Sequence, residues 1–354
     1  MKKKVLPAVI ICLAVLLWAG IAMAAGGAGM DLGRAGSALS AAVKRLEAPQ
    51  GSKVLLLTNA GYGQMNGKST QAFVQLALRQ PGLSLDCRSL LAVHSSWNHP
   101  LWFALYSKKS GRLIYSRWQK NGFVQQSIDA RPQAILTAAG WKKAATGHIG
   151  PGLFGVVSLS LSWAKGANWP LLLAGSFHNH LCPGLNAGYL AAVYLRQHLP
   201  LGKGQRYVFI GAPSICAMDA LQVLTDATPG KRGSYSLLVK GDVAAKYFPK
   251  GAGPLVIAAR VEGKADKCRG VVLGLAWNKL CQDIGLDRGD MSPPGGKSNP
   301  LFFISRAKLS LGLAGMPLKK KMSYVIKVKD FSGRASLAER IITGPDPYSL
   351  VMSP

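Results

Sequence analysis

Acidic residues are scarce in this chain: 15 Asp and Glu stand against 43 Lys and Arg in 354 residues, a formal charge of +28. So few carboxylates leave no pair that stands out for general acid–base work. A Ser-His-Asp order with a nucleophile elbow is also missing. There is no Cys-x-x-Cys, which excludes a cysteine-rich zinc module built on that spacing. Past the N-terminal segment no apolar run is long enough to cross a bilayer.

What is present begins with Lys2-Lys3-Lys4, an apolar run from Val5 to Ile21, and Ala22-Met23-Ala24. Positive, apolar and small-x-small parts in that order predict a cleaved secretory signal over residues 1–24 and a periplasmic location. No cysteine follows the cleavage site, which argues against a lipid anchor. Residues 25–36 read as a Gly/Ala linker. Removing Cys12 leaves Cys87, Cys182, Cys216, Cys268 and Cys281, an odd number in an oxidising compartment. Cys268 and Cys281 are close enough in sequence for a disulfide to be plausible, while a leftover thiol suits a metal site. Without its three signal lysines the chain still carries +25, which favours anionic partners. Nucleic acid is a poor one for an exported protein. An anionic small molecule or a membrane surface fits better, and the scattered lysines (Lys142, Lys143, Lys250, Lys319 to Lys321) also suit a merely solvated face.

The remainder is expected to comprise an N-terminal α+β half over 37–150, a core over 151–345 and a tail over 346–354, bounds that follow from the family resemblance given below. Helices are expected at Ser37–Leu46, Thr70–Arg79, Leu185–His198 and Ala217–Leu224, and strands at Lys53–Thr58, Pro170–Gly175 and Tyr207–Gly211. At an offset of 117, Leu55, Leu56, Gly67, Leu78, Arg79 and Gln80 meet identical residues at Leu172, Leu173, Gly184, Leu195, Arg196 and Gln197. A degenerate duplication of one strand–loop–helix unit would explain that. Gly61, Gly63 and Met65 would then fill the positions of His178, His180 and Cys182, leaving the first copy without a metal. Tyr62 to Ser69 has the setting of a phosphate loop, but Tyr62 stands where that loop needs a small residue.

Chemistry concentrates in Phe177-His178-Asn179-His180-Leu181-Cys182-Pro183-Gly184. In an extended segment His178, His180 and Cys182 share one face. Imidazole and thiolate together favour zinc or another divalent transition metal. A second block runs from Cys216 through Asp219 to Gln222 and on to Thr228-Pro229-Gly230-Lys231. Cys216 and Asp219 share a face at a helix start, where unpaired backbone amides favour a thiolate. Among the other histidines, His94 and His99 read as ordinary residues. His148 lies in a Gly-rich loop that could reach the site, and His198 suits the end of its helix.

Together the two blocks resemble the FmdE family, which takes its name from a component of molybdenum or tungsten formylmethanofuran dehydrogenase. Its members carry Phe-His-Gly-His-x-Cys-Pro-Gly before a helix, then Cys-Ala-x-Asp-Ala-x-Gln leading to a Thr-x-Gly-Lys turn. The likeness is dense from Phe177 to Lys231 and spreads over about 155–345. Here Asn179 replaces the middle glycine, and Ala227 stands where members often have cysteine. The C-terminal zinc module of many members is absent, and the N-terminal half has no counterpart in the short cytoplasmic ones. The resemblance implies an α+β core, a sheet flanked by helices, with a zinc-like ion on His178, His180, Cys182 and Cys216. Asp219 would orient a ligand or act as a base on bound water. Three readings stay open: metal-assisted chemistry, a thiol–disulfide redox pair of Cys182 and Cys216, and capture of a metal or an anionic ligand.

Overall fold

The computed structural model describes residues 32–49, 52–84 and 88–352. The expected signal segment, most of the linker and Cys87 lie outside the described residues. The chain divides into two compact units at Ile128/Asp129. Residues 129–150, expected with the first half, therefore belong to the second unit.

In the first unit, helix α1 covers residues 32–46, beginning inside the expected linker. Its Ala35, Leu39, Ala42 and Leu46 recur every three to four residues and are buried. Strands β1 (Val54–Thr58), β4 (Leu90–Ala92), β5 (Trp102–Ser107), β6 (Arg112–Gln119) and β7 (Gly122–Asp129) form a sheet of order β4-β1-β5-β6-β7. β4 runs parallel to β1, while β5 and β6 continue antiparallel. Phe73 and Ala77 of α2 (Phe73–Leu78) join α1 and Leu56, Phe103, Leu105 and Ile114 of the sheet in one core. Between β1 and α2 lies a two-stranded hairpin, β2 (Gln64–Met65) and β3 (Lys68–Ser69), not a phosphate loop. Asn66 and Gly67 turn it with φ of 51° and 73°, the Asn-Gly signature of a tight hairpin turn.

The second unit begins with short helices α3 (Pro132–Ile135) and α4 (Ala138–Ala145), followed by α5 (Leu153–Ala164), α6 (Trp169–Phe177) and α7 (Pro183–His198). Strand β8 (Gln205–Gly211), helix α8 (Ala217–Thr225), β9 (Ser234–Ser236) and α9 (Gly241–Ala245) come next. They precede the hairpin β10 (Gly253–Glu262) and β11 (Lys267–Leu275). Then come α10 (Trp277–Asp283), α11 (Pro300–Gly315), α12 (Leu318–Met322), β12 (Val325–Gly333), α13 (Leu337–Thr343) and α14 (Ser349–Met352). The sheet order is β12-β11-β10-β8-β9, with β9 parallel to β8 and the other pairs antiparallel. Successive residues Tyr207 to Ile210 are all buried, so both faces of β8 are covered. On one face Val208, Ile210, Ile257 and Val272 pack with Phe248, Ile341, Tyr348 and Val351. The architecture is α+β, a sheet flanked by helices, as expected.

Three expectations need correction here. Pro170–Gly175 is not a strand but the body of α6, whose N-cap Asn168 accepts from the Leu171 N–H with Pro170 in the first turn. The aligned unit is therefore helix–loop–helix in the second half and strand–hairpin–helix in the first, which ends the duplication idea. Residues from 346 on are no free tail: Tyr348 is buried and its hydroxyl donates to the Ala212 carbonyl. Cys268 of β11 and Cys281 of α10 are buried and unpaired, not joined to each other. Among the described residues no helix is long and apolar enough to cross a membrane.

Candidate metal centre

The His-x-His-x-Cys segment turns α6 into α7, and its ligands converge by that turn rather than by alternation along a strand. His178 is the C-cap of α6, still with helical backbone, and Cys182 is the N-cap of α7. Between them Asn179 has φ of 58°, in the left-handed region that glycine and asparagine enter at least cost. That accounts for the substitution at the family's glycine. Asparagine reverses the chain as glycine would, and its side-chain oxygen also accepts from His180 Nδ1 at 2.9 Å.

Cys216 arrives from β8 as the N-cap of α8. Both thiols therefore sit at helix N-termini, where backbone amides and the helix dipole favour negative sulfur. The Leu185 N–H donates to Cys182 Sγ at 3.4 Å. Two glycines of α7 let α8 come this close. A Cβ on Gly184 would lie 3.2 Å from Cys216 Cβ, and one on Gly188 would lie 2.4 Å from the Ala217 carbonyl oxygen. The second contact is with backbone and could not be relieved by a side-chain rotation.

One ligand atom from each of His178, His180, Cys182 and Cys216 lies within 4.8 Å of every other. Cys182 Sγ and His178 Nε2 are 3.8 Å apart. Bonds of about 2.3 Å to sulfur and about 2.0 Å to nitrogen put neighbouring tetrahedral ligands roughly 3 to 4 Å apart. The residues fit such an ion in both donor type and spacing. Asp219, one turn into α8, accepts from His178 Nδ1 at 2.6 Å. Both imidazoles thus donate through Nδ1 to an oxygen and leave Nε2 to face the site, the orientation that metal-binding histidines need.

Charge is already organised for a cation. The hydrogen bond from Cys182 drives the Cys216 pKa strongly down against the cost of burial, helped by both imidazoles. Cys182, the donor of that bond, is buried and pushed well up. Burial lowers the pKa of His180. Burial would also lower His178, but Asp219 and Cys216 outweigh it and raise that group to about 9. Without metal, the cluster holds one thiolate, one thiol and one imidazolium beside a neutral imidazole.

All four ligands line one cavity of about 520 Å³. Its remaining wall includes Phe154 of α5, Trp277 of α10, Arg288, Lys297, and Phe302, Phe303 and Arg306 of α11. None of these was singled out from sequence, since they lie far along the chain from the motif. The available signal was local: Phe302 and Arg306 stand four apart on one helix, with the guanidinium carbon 3.4 Å from the ring centroid. His148 is exposed and lines neither the ligand cluster nor this cavity. His198 stacks on Tyr194 in the last turn of α7. In the first unit, His94 meets the Tyr62 ring edge-on and His99 is bonded to Ser95.

The family comparison falls on this region. Residues 177–264, from the last residue of α6 to just past the end of β10, match the family described as FmdE, Molybdenum formylmethanofuran dehydrogenase operon. Over this stretch the chain is similar to the FmdE family. No curated protein matches it. The FmdE segment contains all four ligands and Asp219, whereas the cationic and aromatic residues of α10 and α11 lie beyond its end.

Proposed function

We propose that this is an exported FmdE-domain protein that binds one zinc-like ion per chain through His178, His180, Cys182 and Cys216. In this reading it uses the ion to act on, or capture, a small molecule in the adjoining cavity. One observation carries the reading: four soft or borderline donors within 4.8 Å of one another form the wall of a cavity of about 520 Å³. A metal that served only to brace the fold would not need such an opening. A bound ion of this kind supplies Lewis acidity to an oxygen that reaches it, or acidifies a bound water. The protein groups do the rest. Cys182 and Cys216 provide negative sulfur at two helix N-termini, and Asp219 holds His178 with Nε2 aimed at the site. Asp219 is thereby a positioning residue, because its carboxylate is already engaged by the imidazole.

Elemental analysis of untagged protein, purified without chelators and with thiols counted, tests this reading. About one transition-metal ion per chain is expected, zinc foremost. A metal-free protein with Cys182 and Cys216 oxidised to each other would replace it with the redox reading, which the hydrogen-bonded thiol–thiolate pair favours. Export is supported by the signal-like N-terminus, and the mass of the mature N-terminus checks it.

A further inference from the structure

Metal binding leaves the other cavity residues without a role. Arg306 is half-buried on α11, its guanidinium lying on the Phe302 ring and donating to the Phe302 carbonyl at 2.8 Å. Those contacts hold the side chain in place but supply no negative charge. Arg288 lies 5.6 Å from the centroid of the Trp277 ring. Lys297 completes a wall of three cations. Among the described residues none of the three is in an ion pair. In a chain whose Asp283, Asp266 and Asp226 all hold cations, that is a local imbalance.

Metal would sharpen the imbalance. A divalent ion with two thiolates and two neutral imidazoles sums to zero charge. The sulfur charge that reaches Arg306 is then neutralised, while Arg288 still repels it. A half-buried guanidinium beside a second cation calls for a counter-ion, and a concave aromatic wall calls for a flat or apolar body.

We infer that the cavity binds a small organic oxyanion, a carboxylate or a phosphate ester, with its charged head on Arg306 and Arg288. Its planar body packs against Phe154, Phe302 and Phe303. A guanidinium fork matches two oxygens of either head group. A second cavity of about 650 Å³ shares Phe154, Lys297 and Phe303, so there is room for a ligand longer than one ring. The inference rests on the metal reading only for the ligand's place beside the ion.

Calorimetric titration of the metal-loaded protein with benzoate and with phenyl phosphate, against neutral benzamide, tests it. At least one anion should bind about 10-fold or more tightly than benzamide, and the stronger of the two identifies the head group. Arg306→Gln and, separately, the exposed Arg288→Gln should each weaken it about 10-fold while keeping wild-type metal content. Equal affinity for anions and benzamide, or binding indifferent to both substitutions, overturns the site. Full metal content with neither anion bound overturns it as well and leaves the metal reading standing. Anion binding through Arg306 to protein that takes up no metal would keep the anion site and remove the metal reading.

Discussion

Residues 55–80 and 172–197 share six identical residues at a fixed offset, yet they solve different physical problems. Leu55 and Leu56 lie in a buried strand, while Leu172 and Leu173 lie on helix α6. Gly67 turns a hairpin at φ of 73°, with nothing within 4 Å of where a Cβ would stand. Its counterpart Gly184 is helical and is needed for what it leaves out, since a Cβ there would press on Cys216. The same residue is thus used once for backbone freedom and once for absent volume. Identity of residues does not carry identity of cause.

Substitution should separate the two uses. The largest effect is expected at Gly188, where alanine would drive a methyl into the Ala217 backbone and cost about 3 kcal/mol or more of stability. Gly67→Ala has open space and bears only backbone strain, about 1–2 kcal/mol. Denaturant melts of both variants check the order, and a Gly188→Ala protein as stable as wild type would undo the close-packing argument. Next comes Cys216→Ser, which should lower metal affinity by about 100-fold or more in chelator competition, beyond the range for residues that only support a ligand. Asp219→Asn should lower it by about 10- to 100-fold.

The Asp219 variant also carries a pH signature. Metal-free His178 titrates at about 9, above its ordinary 6.5. Its contribution to stability is therefore full below pH 6.5 and fades as pH rises through 9. Metal uptake near pH 8 should release the His178 proton together with that of Cys182, about two protons per ion. With Asn at 219 the His178 pKa drops and the release at pH 8 shrinks. Calorimetry in buffers of different ionisation enthalpy measures it, and an unchanged proton count would sink the coupling between Asp219 and His178. The smallest effect belongs to Asn179→Gly, which should keep the turn and alter stability by only a few tenths of a kcal/mol. Asn179→Ala should cost about 1–2 kcal/mol.

The ligand cluster was legible in the sequence because coordination chemistry is written in residue type: two imidazoles, two thiols and a carboxylate in two short blocks. Its geometry was not. Same-face alternation brought His178, His180 and Cys182 together for the wrong reason, since the chain reverses at Asn179 instead of running extended. Helix α6 was hidden because six apolar residues suit a buried strand as well as a buried helix. Asn168 and Pro170 were the start signals that decide between them. The hairpin at Asn66-Gly67 was likewise written in the sequence and masked by the phosphate-loop pattern around it. The basic wall could not be read at all, because Arg288, Lys297 and Arg306 meet the motif only through the packing of α11 against α5 and α7. The lysine run Lys319 to Lys321 resolves differently from a free basic patch: Lys320 is paired with Asp283, and burial lowers the pKa of Lys321.

The division of the ligands between two stretches of chain gives the ion a second effect, independent of any reaction. His178, His180 and Cys182 come from one short turn, and Cys216 returns only after α7 and β8 have been completed. An ion bound by both stretches closes a circuit of about 35 residues, and cross-linking a loop of that length removes roughly 4 kcal/mol of chain entropy from the unfolded state. With no disulfide among the described residues, a bound ion would then set how long the folded chain survives. Chains folding in metal-poor surroundings would be the first to meet proteases unfolded.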